Sequence, residues 1–488
     1  MSTRLLPFVA PGGRGAAGGA TADGPLVQLA VGALGAGVAL TLGGAAAQAL
    51  PVALAGGVLA GTAVVVLVAT GAVPGSVLLA LGAPLPAIYD SPGLRIAAVA
   101  PLAAAVMLGR VLGRGFDTAP ARWGALPRRS LLALVGAVLL ATIFADDPLF
   151  SAREALNFFT LLALLVVLTD ELAERPALAG DVVGALVLSG AVCGVLALLQ
   201  ALGTIPGQFP RWGTRFQRAA LGFGQPNALG LFQVMVLPLA AQRVSAARGA
   251  RRALAAAALA ATALGLAATF SRGAWLALLA GVAALSVAGR PRLALRALVL
   301  LLLGAGAFEL LSGGMLSDTA ARTLGDWVLE QRAALLLAAV RMFTTHPLLG
   351  LGPGGFAHQV EAYAAQITSL WDYQATPHDA FIQLAAEDGI IGVGAFVAFV
   401  GAGTLALRRL AHAAVTAEEA GLRLALLASA ACLWATSFGI WPFSHGTGEA
   451  AVLVLALGFS RATAEAPAPD PVCPPLARGR RPAGGSVA

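Results

Sequence analysis

Two arginines and a histidine interrupt apolar segments of the chain and could carry chemistry there: Arg218, Arg272 and His378. A guanidinium group binds an anionic group through two parallel hydrogen bonds and needs no metal ion to do so. A histidine side chain titrates near neutral pH and can accept a proton from a hydroxyl group. These residue types predict a site that stabilises negative charge while a hydroxyl is deprotonated.

The surrounding sequence predicts that these side chains converge. They stand in three polar strings: RWGTRFQRAALGFGQPNALG at 211–230, TFSRGAWLALLAG at 269–281, and HPLLGLGPGGF at 346–356 followed by PHDAFIQLAAEDGIIG at 377–392. Apolar runs long enough to cross a bilayer separate the strings in such a way that all three fall on the same side. We therefore expect one composite site.

The elements that position this site are predicted to be membrane helices. The chain has 488 residues, of which 58% are hydrophobic and 11% charged, and its mean hydropathy is +0.83. Apolar runs of about 20 residues recur without period-two alternation, which favours helices over a barrel. The sequence predicts an all-α polytopic transmembrane helical bundle of about 12 to 14 helices, with one large extracytoplasmic loop containing short helices.

The domain organisation follows from the apolar runs. We predict a cytoplasmic N-terminal segment at 1–25, transmembrane helices over 26–311, a large extracytoplasmic loop at 312–388, C-terminal transmembrane helices over 389–461, and a disordered cytoplasmic tail at 462–488. Within the loop, apolar residues at helical spacing between 327 and 343 predict a helix on the membrane surface.

Arginine supplies the whole basic surplus, with a net charge of +7. The arginines cluster in alternate short connections, such as 110–129, 243–252, 290–296 and 408–423. This distribution is typical of cytoplasmic connections and argues against a nucleic-acid partner. The three cysteines lack paired spacing, and the histidines fit no local zinc pattern, so we predict neither a metal site nor a cofactor.

Together the three strings resemble the O-antigen ligase and polymerase superfamily, often called Wzy-C-like. The matching residues are Arg218, Gly222, Gln225, Pro226 and Asn227 in the first string, Ser271, Arg272 and Gly273 in the second, and His378 and Gly389 in the third. Two positions depart from the family pattern: Gln225 stands where Asn is common, and Asp379 follows His378 where Asn is usual. The resemblance covers roughly residues 130–460.

This resemblance implies a membrane glycosyltransferase that moves a glycan from an undecaprenyl-diphosphate carrier to a sugar hydroxyl in surface polysaccharide biosynthesis. The implied partners are the polyprenyl-diphosphate-linked donor, a glycan, lipid-linked or protein acceptor, and the lipid bilayer. The implied location is the inner or plasma membrane, with a metal-independent active site on the extracytoplasmic face. In this reading His378 is the catalytic base, and Arg218 and Arg272 hold the diphosphate.

Four further residues are candidate substrate-binding groups: Arg215, Asn227, Arg332 and Glu387. Each site residue also has a structural alternative. Arg215 and Arg332 could be solvated or headgroup-facing side chains, and Arg272 could be paired with a carboxylate. His378 could be a helix cap, and Glu387 could favour the positive end of a helix or orient an arginine.

Two other functions remain open at the level of sequence. A transporter or flippase for polysaccharide or lipid-linked sugar would have the same number of helices, but should place ionisable residues near the bilayer midplane and show an internal repeat. A protein O-oligosaccharyltransferase of the same family would differ only in its acceptor.

Overall fold

The structure is a computed structural model of the whole chain. It describes residues 25–46, 50–83, 87–91, 94–97, 99–114, 125–207, 209, 217–314, 326–364, 377, 379–412, 416–443 and 447–464. All structural statements below concern these residues.

The described part of the chain is helical except for one short hairpin, which confirms the predicted helical bundle. The N-terminal elements are α1 (Pro25–Ala46), α2 (Leu50–Ala69), α3 (Gly75–Gly82), β1 (Ala87–Ser91), β2 (Leu94–Ala97) and α4 (Val99–Arg114). Strands β1 and β2 pair in antiparallel fashion. The apolar pattern does not predict this hairpin. In the sequence, however, Pro84 and Pro86 follow α3 closely, and proline does not continue a helix.

Twelve further helices follow in the described part of the chain. They are α5 (Ala125–Ile143), α6 (Pro148–Glu174), α7 (Leu178–Ala201), α8 (Pro226–Ala246), α9 (Gly249–Thr269), α10 (Arg272–Val287), α11 (Pro291–Ser312), α12 (Asp326–Thr345), α13 (Gly355–Tyr363), α14 (Ala380–His412), α15 (Ala417–Thr436) and α16 (Thr447–Ala464). Helix α12 lies where the sequence predicts a helix between 327 and 343. Helix α14 begins at Ala380, before the predicted start at 389, and Gly389 breaks its helical dihedral angles with φ 63° and ψ −165°.

Length and composition identify the chain as an integral membrane protein. Seven of the described helices are long and apolar enough to cross a membrane, and four shorter apolar helices accompany them. Proline at the first turn starts several of these helices, as in α6, α8 and α11, because its missing N–H costs nothing at that position. Helix α8 lies at the centre of the bundle, where residues such as Phe232 and Leu239 are fully buried.

The end of the bundle where α7, α9 and α15 finish and where α8, α10 and α16 begin is here called the upper end. Connections that are distant in sequence meet there. The backbone N–H of Ala219 donates to the carbonyl of Ala268 at 2.9 Å, and the N–H of Ala380 donates to the carbonyl of Ser437 at 2.7 Å. The polar strings around 218, 271 and 379 therefore share one end of the molecule.

Arginines anchor the opposite end, here called the lower end. Arg110 on α4 forms a 2.6 Å ion pair with Glu174 on α6. Arg423 on α15 donates from Nη1 to the carbonyl of Leu410 at 2.9 Å and from Nε to Glu419 at 3.1 Å. The contacts of Arg110 with Glu174 and of Arg423 with Leu410 each join two helices, whereas Glu419 pairs with Arg423 within α15.

Candidate functional site

The segment that carries Arg218 is held to the upper end by its backbone. The N–H of Arg218 donates to the carbonyl of Phe209 at 2.9 Å, and the next residue, Ala219, donates to Ala268 at the end of α9. These bonds satisfy the backbone of an irregular segment, which would otherwise be costly to bury. They also fix Arg218 beside the turn between α9 and α10.

Gln200, in the last turn of α7, fixes the residues that follow. Its Oε1 accepts hydrogen bonds from the N–H groups of Ala220 at 2.9 Å and Leu221 at 3.0 Å, and its Nε2 donates to the carbonyl of Pro206 at 2.9 Å. Leu221 has φ 47°, a left-handed conformation that is uncommon for a branched side chain. No sequence pattern predicts this role of Gln200, because a single glutamine in an apolar helix does not indicate that its side chain binds a loop twenty residues away.

The Arg218 side chain contacts two elements of the predicted site. Its Nε donates to the carbonyl of Thr269, the last residue of α9, at 3.2 Å. Its Nη2 donates to Oδ1 of Asn227, in the first turn of α8, at 3.3 Å. Cations are favourable at helix C-termini, and α9 ends at the carbonyl that Arg218 contacts. The guanidinium thus links α8 and α9 at the upper end.

Ser271 joins the second polar string to the first. It is the N-cap of α10, and its Oγ accepts from the N–H of Ala274 at 3.4 Å. The same hydroxyl donates to Asn227 Oδ1 at 2.9 Å. One amide oxygen therefore accepts from both Ser271 and Arg218.

Gly230 makes this close approach of α8 and α10 possible. A Cβ atom on Gly230 would lie 2.9 Å from the Cβ of Ala274 and 3.1 Å from the Cβ of Ser271. Contacts this short force neighbouring atoms apart in a packed interior. The small residue three positions after Asn227 is therefore a steric requirement of the Asn227–Ser271 contact.

Arg272 lies at the first position of α10, beside this network. Its Nη1 is buried, and no hydrogen-bond acceptor for it lies within the described part of the chain. Arg332 on α12, whose side chain is exposed, contributes positive charge that acts on Arg272. Two guanidinium groups from different elements thus lie within electrostatic range of each other, and their charges repel.

Like charges held together in this way favour an anion between them, because an anion removes the repulsion and satisfies the buried donor. The predicted alternative, in which a carboxylate partner neutralises Arg272, finds no support in the described part of the chain. The arrangement is suited to binding a phosphate-like group.

His378 and Arg215 lie outside the described residues, and their assignments stay predictions. The residue after His378 is described. Asp379 accepts hydrogen bonds at Oδ1 from the N–H groups of Phe381 at 2.9 Å and Ile382 at 3.1 Å, so it caps the N-terminus of α14. Asp and Asn are about equally good caps, which gives a physical reason why this chain can carry Asp where the related pattern has Asn.

Glu387 is directed toward the polypeptide. Its side chain is 8% exposed, and its carboxylate accepts hydrogen bonds from the backbone N–H groups of Gly354 and Phe356, at the start of α13. Gln383 Nε2 donates to Glu387 Oε1 at 3.2 Å. Of the four candidate substrate-binding residues, Asn227 and Glu387 are hydrogen-bonded to protein groups, while Arg332 contributes positive charge that acts on Arg272.

Fold and site together define the class of protein: a polytopic helical membrane protein with an arginine-rich polar site at one end of its bundle. Residues 255–397 match the family model for O-Antigen ligase, Wzy_C, which confirms the resemblance to that family within the matched part of the chain. The matched region includes Ser271, Arg272, Arg332 and Glu387, while Arg218 and Asn227 precede it. No curated protein sequence matches the chain.

Proposed function

We propose that this protein is a membrane glycosyltransferase that moves a glycan from a polyprenyl-diphosphate carrier, of the undecaprenyl type, to a sugar hydroxyl. The observation that supports this best is Arg272, whose buried Nη1 has no acceptor in the described part of the chain and whose charge is repelled by that of Arg332. A diphosphate bears the negative charge that such a pair of guanidinium groups would neutralise.

In the proposed reaction, the acceptor hydroxyl oxygen attacks the anomeric carbon of the donor sugar. A new glycosidic C–O bond forms, the bond between the anomeric carbon and the diphosphate oxygen breaks, and the polyprenyl diphosphate leaves with the electron pair. The hydroxyl proton passes to His378. Negative charge grows on the leaving diphosphate during this step, so preorganised arginines stabilise the transition state more than the bound substrate.

Arg218 has a different part in this proposal. Its guanidinium adds positive charge at the upper end, but it also binds the carbonyl of Thr269 and the side chain of Asn227. It thereby fixes the turn that presents Arg272. We infer that Arg218 contributes to catalysis by orienting this turn and by its electrostatic field, while Arg272 and Arg332 contact the donor diphosphate.

The site is proposed to face the extracytoplasmic side of the cell membrane. Arginines such as Arg243, Arg251 and Arg408 lie in the helix turns next to short connections at the lower end, and arginine-rich connections are typically cytoplasmic. The upper end then faces outward, where lipid-linked glycans are assembled into surface polysaccharide.

Glycan transfer by the purified protein tests this function. Protein in lipid nanodiscs is given an undecaprenyl-diphosphate oligosaccharide and separate glycan, lipid-linked glycan and peptide acceptors, with and without a chelator of divalent metal ions. We expect a chelator-resistant product that is lost in His378→Ala. Flux of the donor across the membrane without bond formation would instead identify a transporter, and loss of product with chelator would show that the arginines alone do not supply the charge.

A further inference from the structure

The glycine-rich turn at 347–354 is joined to helix α14 by backbone hydrogen bonds. The N–H of Leu351 donates to the carbonyl of Ala386 at 2.9 Å, and the N–H of Gly352 donates to the carbonyl of Glu387 at 2.8 Å. These bonds resemble the pairing of neighbouring strands, although one partner is a helix. They require α14 to be open at this level, and its dihedral break at Gly389 provides that opening.

Glycines on both sides of the contact allow the two backbones to touch. A Cβ on Gly350, which has φ 68°, would lie 2.3 Å from the carbonyl carbon of Glu387. A Cβ on Gly389, which has φ 63°, would lie 2.3 Å from the carbonyl carbon of Leu348. Both the left-handed conformation and the separation exclude other residues. Residues 347–354 with 386–391 are here called the joint.

Glu387 closes the joint with its side chain. Its buried carboxylate accepts from the N–H groups of Gly354 and Phe356, the amides that open α13, and from Gln383. A carboxylate at a helix N-terminus is favoured both by these unpaired amides and by the helix dipole. These three donors satisfy the hydrogen-bonding groups of the Glu387 side chain, so it needs no substrate as a partner.

The other end of α13 is held by a cation. Arg341 on α12 donates from Nη1 to the carbonyl of Tyr363, the last residue of α13, at 2.9 Å. Helix α13 therefore lies between the accepting side chain of Glu387 at its N-terminus and the cation of Arg341 at its C-terminus, where a positive charge is stabilising.

Helices α12 and α13 and the start of α14 share a separate small core. Its buried residues are Leu335, Ala338, Ala339, Met342, Leu351, Phe356, Val360, Ala364 and Ala386. Helix α12 carries Arg332, three residues before the first member of this core. Helix α12, with Arg332, therefore forms one packed unit with α13 and the turn.

We infer that Glu387 is a positioning residue: it binds no substrate, but locks the joint on which α12 packs and thereby positions Arg332, which that helix carries. The inference rests on the proposed function for its effect on transfer, but the joint itself is defined by the contacts above. It assigns Glu387 a structural task that depends on the reach of its oxygens more than on its charge.

Substitutions at Glu387 separate reach from charge. Glu387→Gln keeps the length of the side chain and one accepting oxygen, Glu387→Asp keeps the charge but shortens the reach, and Glu387→Ala removes both. Glu361→Ala, which removes an exposed carboxylate on the same helix α13, is the matched control.

Hydrogen exchange of peptides covering 350–360, measured on the full-length protein in nanodiscs, is the first readout. We expect exchange to rise about tenfold or more in Glu387→Ala and Glu387→Asp, about threefold or less in Glu387→Gln, and not at all in the control. Unchanged exchange in Glu387→Ala would overturn the inference. If that variant does not accumulate, the comparison of Asp with Gln decides in the same way.

Glycan transfer from the undecaprenyl-diphosphate donor is the second readout. The transfer rate should fall as hydrogen exchange rises, so Glu387→Gln should be faster than Glu387→Asp. The reverse order with exchange at the wild-type level would mean that the charge acts on substrate, and would contradict a positioning role. A wild-type protein without transfer activity would instead count against the proposed function, and the exchange measurement would still decide the role of Glu387.

Discussion

The hydroxyl of Ser271 donates a 2.9 Å hydrogen bond to Oδ1 of Asn227, so the first turns of α10 and α8 are joined by side chains that lie far apart in sequence. The same Asn227 oxygen accepts from Arg218 at 3.3 Å. This shared acceptor links two of the three polar strings. It fixes the start of α10, where Arg272 presents its buried guanidinium.

Removing the shared acceptor should loosen the site. Asn227→Ala deletes the partner of both Ser271 and Arg218, and we expect it to lower kcat/KM for glycan transfer about tenfold to a hundredfold and to cost about 1–3 kcal/mol of stability. Asn227→Asp keeps an accepting oxygen and should retain most of both. Transfer kinetics and thermal unfolding in the same detergent measure the two effects. Equal losses in the two variants would show that the shared oxygen is not what matters.

Gly230 should tolerate no side chain. Gly230→Ala places a methyl group against Ala274 and Ser271, so α8 and α10 must separate, at a cost of roughly 1–3 kcal/mol, and transfer should fall. Gly136→Ala on α5 is the control, because a Cβ there meets nothing within 4 Å. Thermal unfolding and transfer rate are compared for both variants. A wild-type result for Gly230→Ala would mean that the contact between the two helices is not needed.

Asp379 should act through its capping oxygen. Asp379→Asn keeps an acceptor for the N–H groups of Phe381 and Ile382, so both stability and transfer should stay close to wild type. Asp379→Ala should cost about 1 kcal/mol and reduce transfer, because the residue before the cap is His378. A steep loss of transfer in Asp379→Asn at normal stability would instead assign the carboxylate charge a direct role.

Arg332 should matter for donor binding. Its side chain is exposed and its positive charge acts on Arg272, so Arg332→Ala should raise the KM for the donor about tenfold and also lower kcat. Arg292→Ala, an exposed arginine at the start of α11, is the matched control. Steady-state kinetics at varied donor concentration distinguish the two parameters. An unchanged donor KM in Arg332→Ala would remove this residue from the site.

The sequence was sufficient to predict the helical bundle, because the apolar runs that form it are a local pattern. Apolar runs locate the spans, and Arg218, Ser271 and Arg272 stand out as polar groups at their ends. The tasks of Gln200, Gly230 and Glu387 were not predictable in the same way. Each of these roles depends on a contact with another element, and the residues next to a single glutamine, glycine or glutamate in the sequence do not indicate which element it contacts.

The start of helix α14 at Ala380 was also not predictable from the apolar pattern. The apolar run begins near residue 389, but Asp379 caps the helix earlier and Gly389 breaks it, so the polar turns at its start were assigned to the loop. The β1–β2 hairpin was likewise not predicted, because its strands are too short to show a clear alternation of apolar and polar residues.

Whether Arg272 holds the diphosphate is decided by donor binding and transfer of Arg272→Ala, measured on purified protein in nanodiscs beside Arg272→Lys and Arg292→Ala. We expect Arg272→Ala to lower kcat/KM about a hundredfold or more at normal stability, Arg272→Lys to recover only part of the rate because an ammonium cannot bind bidentately, and Arg292→Ala to behave as wild type. Wild-type binding and transfer in Arg272→Ala would contradict the proposal that its buried guanidinium holds the diphosphate.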